Sequence, residues 1–338
     1  MNSEYSKPKI SVVMPVYNAA KYLSAAIESI LSQTYNNFEF IICYDESDDD
    51  SFEIIKKFQL KEDRIIVSSG KNRGLIAALN DGLKLSKGKY IARMDADDIS
   101  LNNRLEEQVY FMDTNPEIGV CGTWIETFGE VKRKYVNFFP PSDDGLKVRL
   151  LFSVPFAHPS VMVRSKLINE HHLYYNKNYE TVEDYKFWLD FSNHTKFGVI
   201  PKVLVKYRHL DSSLSKTADK DNVTRFLAVK KVFDEVLEKL NIENSESENW
   251  LHFTIGASER ICRQNIALGD LDRYINKLLK ANQKSEVYDQ KHLKQFLARK
   301  FLIVIFYKIK RRDPTFFRSL YYNIFYQACL SFIKRKRF

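Results

Sequence analysis

The feature that most restricts the fold of this chain is a change of hydrophobic period that recurs along roughly its first 130 residues. ISVVM (10–14) is a compact, β-branched run. The stretch NAAKYLSAAIESILSQTY behind it sets Tyr22, Leu23, Ala26, Ile27, Ile30 and Leu31 on one helical face, with Asn18 placed to cap it. FEFIICY, RIIVSS and KYIARM again have strand character, and SFEIIKKFQL, GLIAALNDGLKLS and LNNRLEEQVYFMD between and after them have helical character. Strand and helix in alternation predict an α/β fold, a mostly parallel, Rossmann-like sheet flanked by helices on both faces.

The pattern becomes less regular from about 131 to 216 and is mostly helical after that, with NIENSESENW as a turn between helices. The expected organisation is therefore an α/β domain over residues 1–216 followed by a helical C-terminal region over 217–338. A chain of 338 residues with 44% hydrophobic content has enough material for a main core and an appendage, and its composition excludes a wholly disordered or fibrous protein.

In open α/β sheets ligands bind beyond the carboxyl ends of the strands. Three unusual segments fall there: Pro15-Val16-Tyr17-Asn18, Tyr44-Asp45-Glu46-Ser47 and Asp95-Ala96-Asp97-Asp98. They should converge in one cleft. Crowded carboxylates repel one another unless a cation sits among them, and a hard divalent ion, Mg²⁺ or Mn²⁺, accepts oxygen ligands and bridges to a diphosphate. The plainer alternative is that Asp97 or Asp98 caps the helix that follows.

ISVVMPVYN, AIESILSQTYNNFEFIICYDES, KNRGLIAALNDGLKLSKGKYIARMDADD, FAHPSVMVRS and EDYKFWL occur in that order. Together they resemble the family 2 glycosyltransferases of the GT-A fold over residues 9 to about 215. The resemblance implies an enzyme that takes a nucleotide-diphosphate sugar, UDP favoured, and transfers the glycosyl group with inversion. By position, Pro15, Val16 and Tyr17 would line the nucleoside pocket, with Asn18 and Ala96 in the same donor-binding loops. Asp45 would accept from the base, Arg73 would lie near the nucleotide, Asp95 would address the ribose side and the metal, and Asp97 would bind the metal. Asp184 would be the catalytic base, oriented by Glu183; without the resemblance, both are first-turn acids favoured by a helix dipole. His158 suits packing and substrate contact equally.

Two positions depart from the family pattern. Tyr44 replaces the first of two acids, and the Tyr-Arg-x-His pattern stands as Tyr207-Arg208-His209-Leu210, its His displaced by one. Arg208 would pair with diphosphate oxygens, while His209 is either a metal ligand or a solvated loop residue. The implied acceptor is a glycan, lipid-linked, in bacterial surface polysaccharide (O-antigen or capsule) synthesis. The competing functions are an aspartate-based phosphotransferase, for which the Asp-x-Asp comes late in the chain, and a non-catalytic membrane or nucleic-acid binding module on the same scaffold.

The net charge of +9 is concentrated at one end: residues 291–338 hold thirteen Lys/Arg against a single acid, Asp313. There cations interleave with aromatics, as in RKFLIVIFYKIKRRDPTFFRSLYYNIFYQACLSFIKRKRF. This suits an interfacial helix on an anionic membrane surface or a packed helical subdomain with a solvated face. No nucleic-acid module accompanies it, so no nucleic acid is expected as partner. Its longest uncharged stretch, SLYYNIFYQACLSFI, would span about 22 Å as a helix, against about 30 Å of hydrocarbon. The first ten residues lack an apolar segment of the signal-peptide kind, and Cys43, Cys121, Cys262 and Cys329 show no zinc-like spacing. The expected location is cytoplasmic, peripheral at the inner face of the plasma membrane.

Overall fold

The computed structural model describes residues 8–211, 221–315 and 322. The chain divides into two compact units, residues 1–143 with 155–220 and residues 144–154 with 221–338. In chain order the elements up to residue 209 are β1 (Ile10–Val16), α1 (Ala20–Leu31), β2 (Phe38–Asp45), α2 (Ser51–Gln59), β3 (Ile65–Gly70), α3 (Gly74–Leu85), β4 (Tyr90–Arg93), β5 (Ile99–Ser100), α4 (Arg104–Thr114), β6 (Ile118–Gly129), β7 (Tyr135–Asn137), α5 (Asp143–Leu150), β8 (Met162–Arg164), α6 (Ser165–His171), α7 (Glu183–Phe191) and β9 (Lys196–His209).

The first unit is built on one sheet in the order β3-β2-β1-β4-β8-β6-β9-β5, with β7 on β6. β3, β2, β1 and β4 run parallel, as the alternating periods require. Beyond them the sheet is mixed: β8 is antiparallel to β4 and β6, β9 is parallel to β6, and β5 is antiparallel to β9. β1 and β2 are buried along their whole length, which explains why they read as continuous apolar runs rather than alternating ones.

The two faces of β1 have different covers. Ile10, Val12, Met14 and Val16 pack with Leu23, Ile27 and Ile30 of α1, Ile55 of α2 and Leu105, Val109 and Met112 of α4. On the opposite face Val13 meets α3, where a Cβ at Gly82 would lie 2.3 Å from Val13 Cγ1; glycine is required by that close approach. Val13, Leu83, Ile91, Arg93, Phe187 and Trp188 line one small cavity, which puts α7 on this face too.

The chain builds β1, β2 and β3 outwards, then returns to lay β4 against the other side of β1. Their carboxyl ends therefore part at a topological switch point. Pro15 contributes to the opening. Val13 O accepts from Met94 N, so Pro15, two residues on, would address the same side, where β4 has already ended. Its missing N–H costs no ladder bond.

Asn18 does not cap α1. Ala19 holds the cap position without a side-chain bond, and Asn18 adopts the left-handed conformation at φ 46°. Ser51 Oγ and Asp49 Oδ2 accept instead from the amides of Ala19 and Ala20, at 2.9 and 2.8 Å. Asn18 Oδ1 in turn accepts from Asp48 N at 2.9 Å. The loops after β1 and β2 are thereby fastened to each other, a tertiary arrangement that local capping rules do not contain.

The second unit is helical: α8 (Asn222–Glu238), α9 (Glu246–Gly256), α10 (Ser258–Arg263), α11 (Leu268–Ser285) and α12 (Gln290–Lys310), together with residues 144–154. The polar turn before α9 carries a capping box between Ser245 and Glu248. His252 lies at 0% exposure, its Nε2 at 2.8 Å from Leu151 O and its Nδ1 at 2.8 Å from the Tyr274 hydroxyl. In the basic tail, α12 buries Leu293, Leu297, Phe301, Val304 and Ile305, while Lys300 and Lys308 reach Gly256 O and Asp313. Over that part the packed-subdomain alternative describes what is seen, although Phe306 and Ile309 stay exposed. Apart from Tyr322, the segment SLYYNIFYQACLSFI and the terminal basic cluster lie outside the described residues. Among the described residues no helix is long and apolar enough to cross a membrane.

Candidate active site

The segments ending β1, β2 and β4 lie along one sheet edge, with β1 in the middle. Pro15 and Val16 are buried within β1, so of this stretch it is Tyr17, 58% exposed, that faces outward. Asp45 ends β2 and is itself buried. Its Oδ2 accepts from Arg73 N at 2.9 Å and Gly74 N at 2.8 Å, the first amides of α3, and its Oδ1 from Arg73 N at 3.2 Å. Asp45 is thus the anion at a helix N-terminus, with lone-pair capacity left on Oδ1. The Arg73 side chain crosses Gly70, where a Cβ would come within 2.0 Å of its Nε, and pairs with Asp81 at 2.6 Å.

The acidic segment after β4 is held by Arg104 and Arg93, which the sequence reading did not single out, and by Arg208, which it did. Arg104 of α4, fully buried, donates through Nη2 to Arg93 O at 2.8 Å and Val161 O at 3.2 Å, fixing the end of the strand. Arg93, also buried, forms an ion pair with Asp95. The β5–β9 ladder then sets Ile99 against Lys206 and brings the end of this segment, Asp97 and Asp98, beside Arg208. Arg208 N donates to Asp98 Oδ1 at 2.6 Å and its Nε to Asp97 O at 2.7 Å. The guanidinium lies 4.1 Å from the Tyr22 ring and 4.4 Å from the Phe128 ring. Neither Asp97 nor Asp98 caps a helix, since β5 follows them and Asn103 holds the cap position of α4.

Carboxylate oxygens of Asp95, Asp97 and Asp98 lie within 4.8 Å of one another. Burial, then the charges of Asp95 and Asp97, push the Asp98 carboxyl well above its usual value, and burial with the Asp95 charge pushes Asp97 up to about 6. Asp98 Oδ2 is buried without a hydrogen-bond partner among the described residues. An orphaned oxygen beside two like-charged groups is the arrangement a hard divalent cation would relieve, so these residues fit Mg²⁺ or Mn²⁺. His209 is not part of this converged group, and its Nδ1 is buried without a partner among the described residues.

Glu183 and Asp184 open α7, whose buried face of Tyr185, Phe187, Trp188, Leu189 and Phe191 anchors it to the sheet. Asp184 Oδ1 accepts from Tyr185 N at 2.7 Å. Tyr175 links this helix to the acidic segment. Its ring stacks on Phe187 at 4.0 Å, and its backbone pairs with the Asn80 amide of α3. Burial pushes its phenol up, and the charges of Asp184, Glu183 and Asp95 add to that. His158 Nε2 lies 2.7 Å from the Tyr175 hydroxyl; burial and the Arg93 charge push the imidazole well below its ordinary value. His158 therefore belongs to a packed polar network behind the acids. A charged residue closing the buried strand KYIAR was the available signal for Arg93; Tyr175 carried none.

An open α/β sheet with an acidic, cation-suited segment at its switch point is the architecture in which ligands bind beyond the strand ends. The family model for glycosyl transferase family 2 matches residues 11–173. MJ1057 of Methanocaldococcus jannaschii, an uncharacterized glycosyltransferase, is 38% identical over 224 residues, which span 64% of this chain and 77% of that protein. WfaP of Escherichia coli, a UDP-Glc:α-D-GlcNAc-diphosphoundecaprenol β-1,3-glucosyltransferase, is 42% identical over 106 residues, 31% of this chain and 41% of that protein. Among solved structures, S. aureus TarS 1–349 in complex with UDP-GlcNAc aligns over 90% of this chain and 92% of its own with a TM-score of 0.57 at 18% identity, a likeness of fold. This chain belongs to glycosyltransferase family 2, and its fold is of the GT-A type.

Proposed function

We propose that this glycosyltransferase is metal-dependent and inverting, taking a sugar from a nucleotide diphosphate, UDP favoured, to a lipid-linked glycan acceptor in surface polysaccharide synthesis. The observation that carries the catalytic part is the convergence of Asp95, Asp97 and Asp98 around Asp98 Oδ2, which has no hydrogen-bond partner among the described residues. The lean towards UDP and a lipid diphosphate acceptor is supported by the similarity to WfaP, whose substrates have that chemistry.

Asp97 and its neighbours would hold Mn²⁺ or Mg²⁺, which when bound supplies positive charge to the departing diphosphate. Asp45 keeps the N-terminus of α3 in place and offers Oδ1 to the nucleobase. Tyr17 presents its exposed ring beside it. Arg208 serves the site as a brace: with its Nε on Asp97 O and its face between Tyr22 and Phe128, it fixes the backbone of the acidic segment. Asp184 takes the proton of the attacking acceptor hydroxyl, with Glu183 beside it.

Attachment to the inner face of the plasma membrane through residues 291–338 fits this reading, since Phe306 and Ile309 are exposed near Lys310 and Arg311. The test is a thermal-shift screen of nucleotide sugars with and without Mn²⁺, followed by transfer assays with the donor it selects. Wild-type turnover by Asp97→Ala or Asp184→Asn would overturn the assignment.

A further inference from the structure

β6 and β7 are joined by a hairpin, Glu130-Val131-Lys132-Arg133-Lys134, that the catalytic assignment leaves unused. Lys132, Arg133 and Lys134 are all exposed, and among the described residues none of them forms an ion pair. Their neighbours Tyr135 and Phe138 are 46% and 64% exposed, large apolar surfaces beside three adjacent cations. The hairpin's one acid, Glu130, accepts from Asp211 N at 2.7 Å.

The position of this hairpin follows from strand register. β6 lies between β7 and β9, and Thr127 is paired on one side with Tyr135 and on the other with Tyr207. One residue further, Phe128 is paired with Arg208, whose amide donates to Asp98. Two strand spacings separate Tyr135 from Tyr207, about 10 Å between their backbones. Arg208 Nε also donates to Asp97 O at 2.7 Å, so the acidic segment lies against that end of β9. The hairpin thus leaves the sheet at the same end as the acidic crevice.

We propose that the 130–138 hairpin is an interfacial anchor: Lys132, Arg133 and Lys134 meet anionic phospholipid headgroups while Tyr135 and Phe138 enter the boundary below them, which holds the catalytic crevice at the membrane surface. Each cation near an anionic leaflet adds attraction, and an aromatic ring with a polar tip suits the headgroup level. The surface stands on its own observations. Its purpose, delivery of the crevice to a lipid-linked acceptor, rests on the function proposed above. It differs from the tail in sequence, in fold and in compact unit, so the two contributions can be separated.

The experiment uses the full chain and phosphatidylcholine vesicles with and without phosphatidylglycerol. The combined Lys132→Ser, Arg133→Ser, Lys134→Ser variant should partition onto the anionic vesicles on the order of a hundredfold more weakly than the wild type. A Tyr135→Trp variant should gain a fluorescence component, relative to its parent, that brominated lipid quenches. Nucleotide-sugar stabilisation of the triple variant should be unchanged, so failure of the donor reading and failure of the anchor are scored separately. The proposal is overturned if the triple variant partitions as the wild type does. It is equally overturned if vesicle-bound Tyr135→Trp protein shows no added quenching, or if the substitutions weaken binding to a single-stranded RNA probe and leave vesicle binding intact.

Discussion

Two aspartate sites on the same sheet edge show how differently one residue type can be used. After β2, Asp45 is buried with its charge answered by the amides of Arg73 and Gly74. After β4, Asp98 is buried and Asp97 half-buried beside Asp95, with one Asp98 oxygen unanswered and both carboxyls pushed towards protonation. The fold answers both Asp45 oxygens with backbone amides and, at the second site, leaves Asp98 Oδ2 bare among the described residues. Where partners are withheld, the charge is kept for something that binds, and the cost is borne by the metal-free protein.

That contrast can be broken most directly through catalysis. Asp97→Ala and Asp184→Asn should each lower transfer about a thousandfold, read as sugar transfer with saturating donor and Mn²⁺. Asp184→Asn should retain donor-dependent thermal stabilisation, and Asp97→Ala should lose its dependence on Mn²⁺. If Asp97→Ala keeps a wild-type metal response, the acidic crevice is not the cation site.

The second unit supplies a reference in which every partner is internal. Leu151 O can only accept, so His252 Nε2 carries the proton and Nδ1 accepts from Tyr274, whose hydroxyl accepts from Asn244. Burial pushes the imidazole down to about 4 from 6.5. The unfolded chain therefore binds the extra proton first as pH falls. Stability from this group is fully present above about 6.5 and is lost progressively between 6.5 and 4, on the order of 3 kcal/mol in all. Denaturant titrations at both ends of that window should show a loss that metal does not restore and that shrinks in His252→Gln.

Smaller effects separate the two aspartate sites by stability. Asp45→Ala leaves two helix-terminal amides without an acceptor and should cost about 2 kcal/mol, measured by denaturant unfolding. Asp97→Ala should raise the stability of the metal-free protein, because it removes a half-buried, repelled charge. Loss of stability in both would erase the distinction drawn between them. Arg208→Lys keeps the charge but cannot span Asp97 O and the two rings; it should weaken Mn²⁺ binding roughly tenfold with donor binding in the absence of metal unchanged.

The alternating periods foretold β1 to β4 and the helices between them because strands buried on both faces and amphipathic helices have local signatures. The second half of the sheet was not legible. β8 and β9 insert between elements far away in sequence, and β5 is two residues long. Asn18 shows the same limit: its composition suits a cap, but the oxygens that cap α1 come from Asp49 and Ser51.

Sequence by itself determined the α/β class, the family, and the aspartates placed at strand ends, since all of these depend on which residues lie a few positions apart. Tertiary structure alone decided that Asp45 is answered by backbone amides and that Arg208 is stacked and tied to Asp97 O. It also decided that Asp98 retains a bare oxygen and that Arg93, Arg104 and Tyr175 stand behind the crevice. The reason is physical: whether a buried charge is satisfied depends on atoms brought within about 3 Å by strand pairing across the whole sheet, a distance that spacing along the chain does not encode.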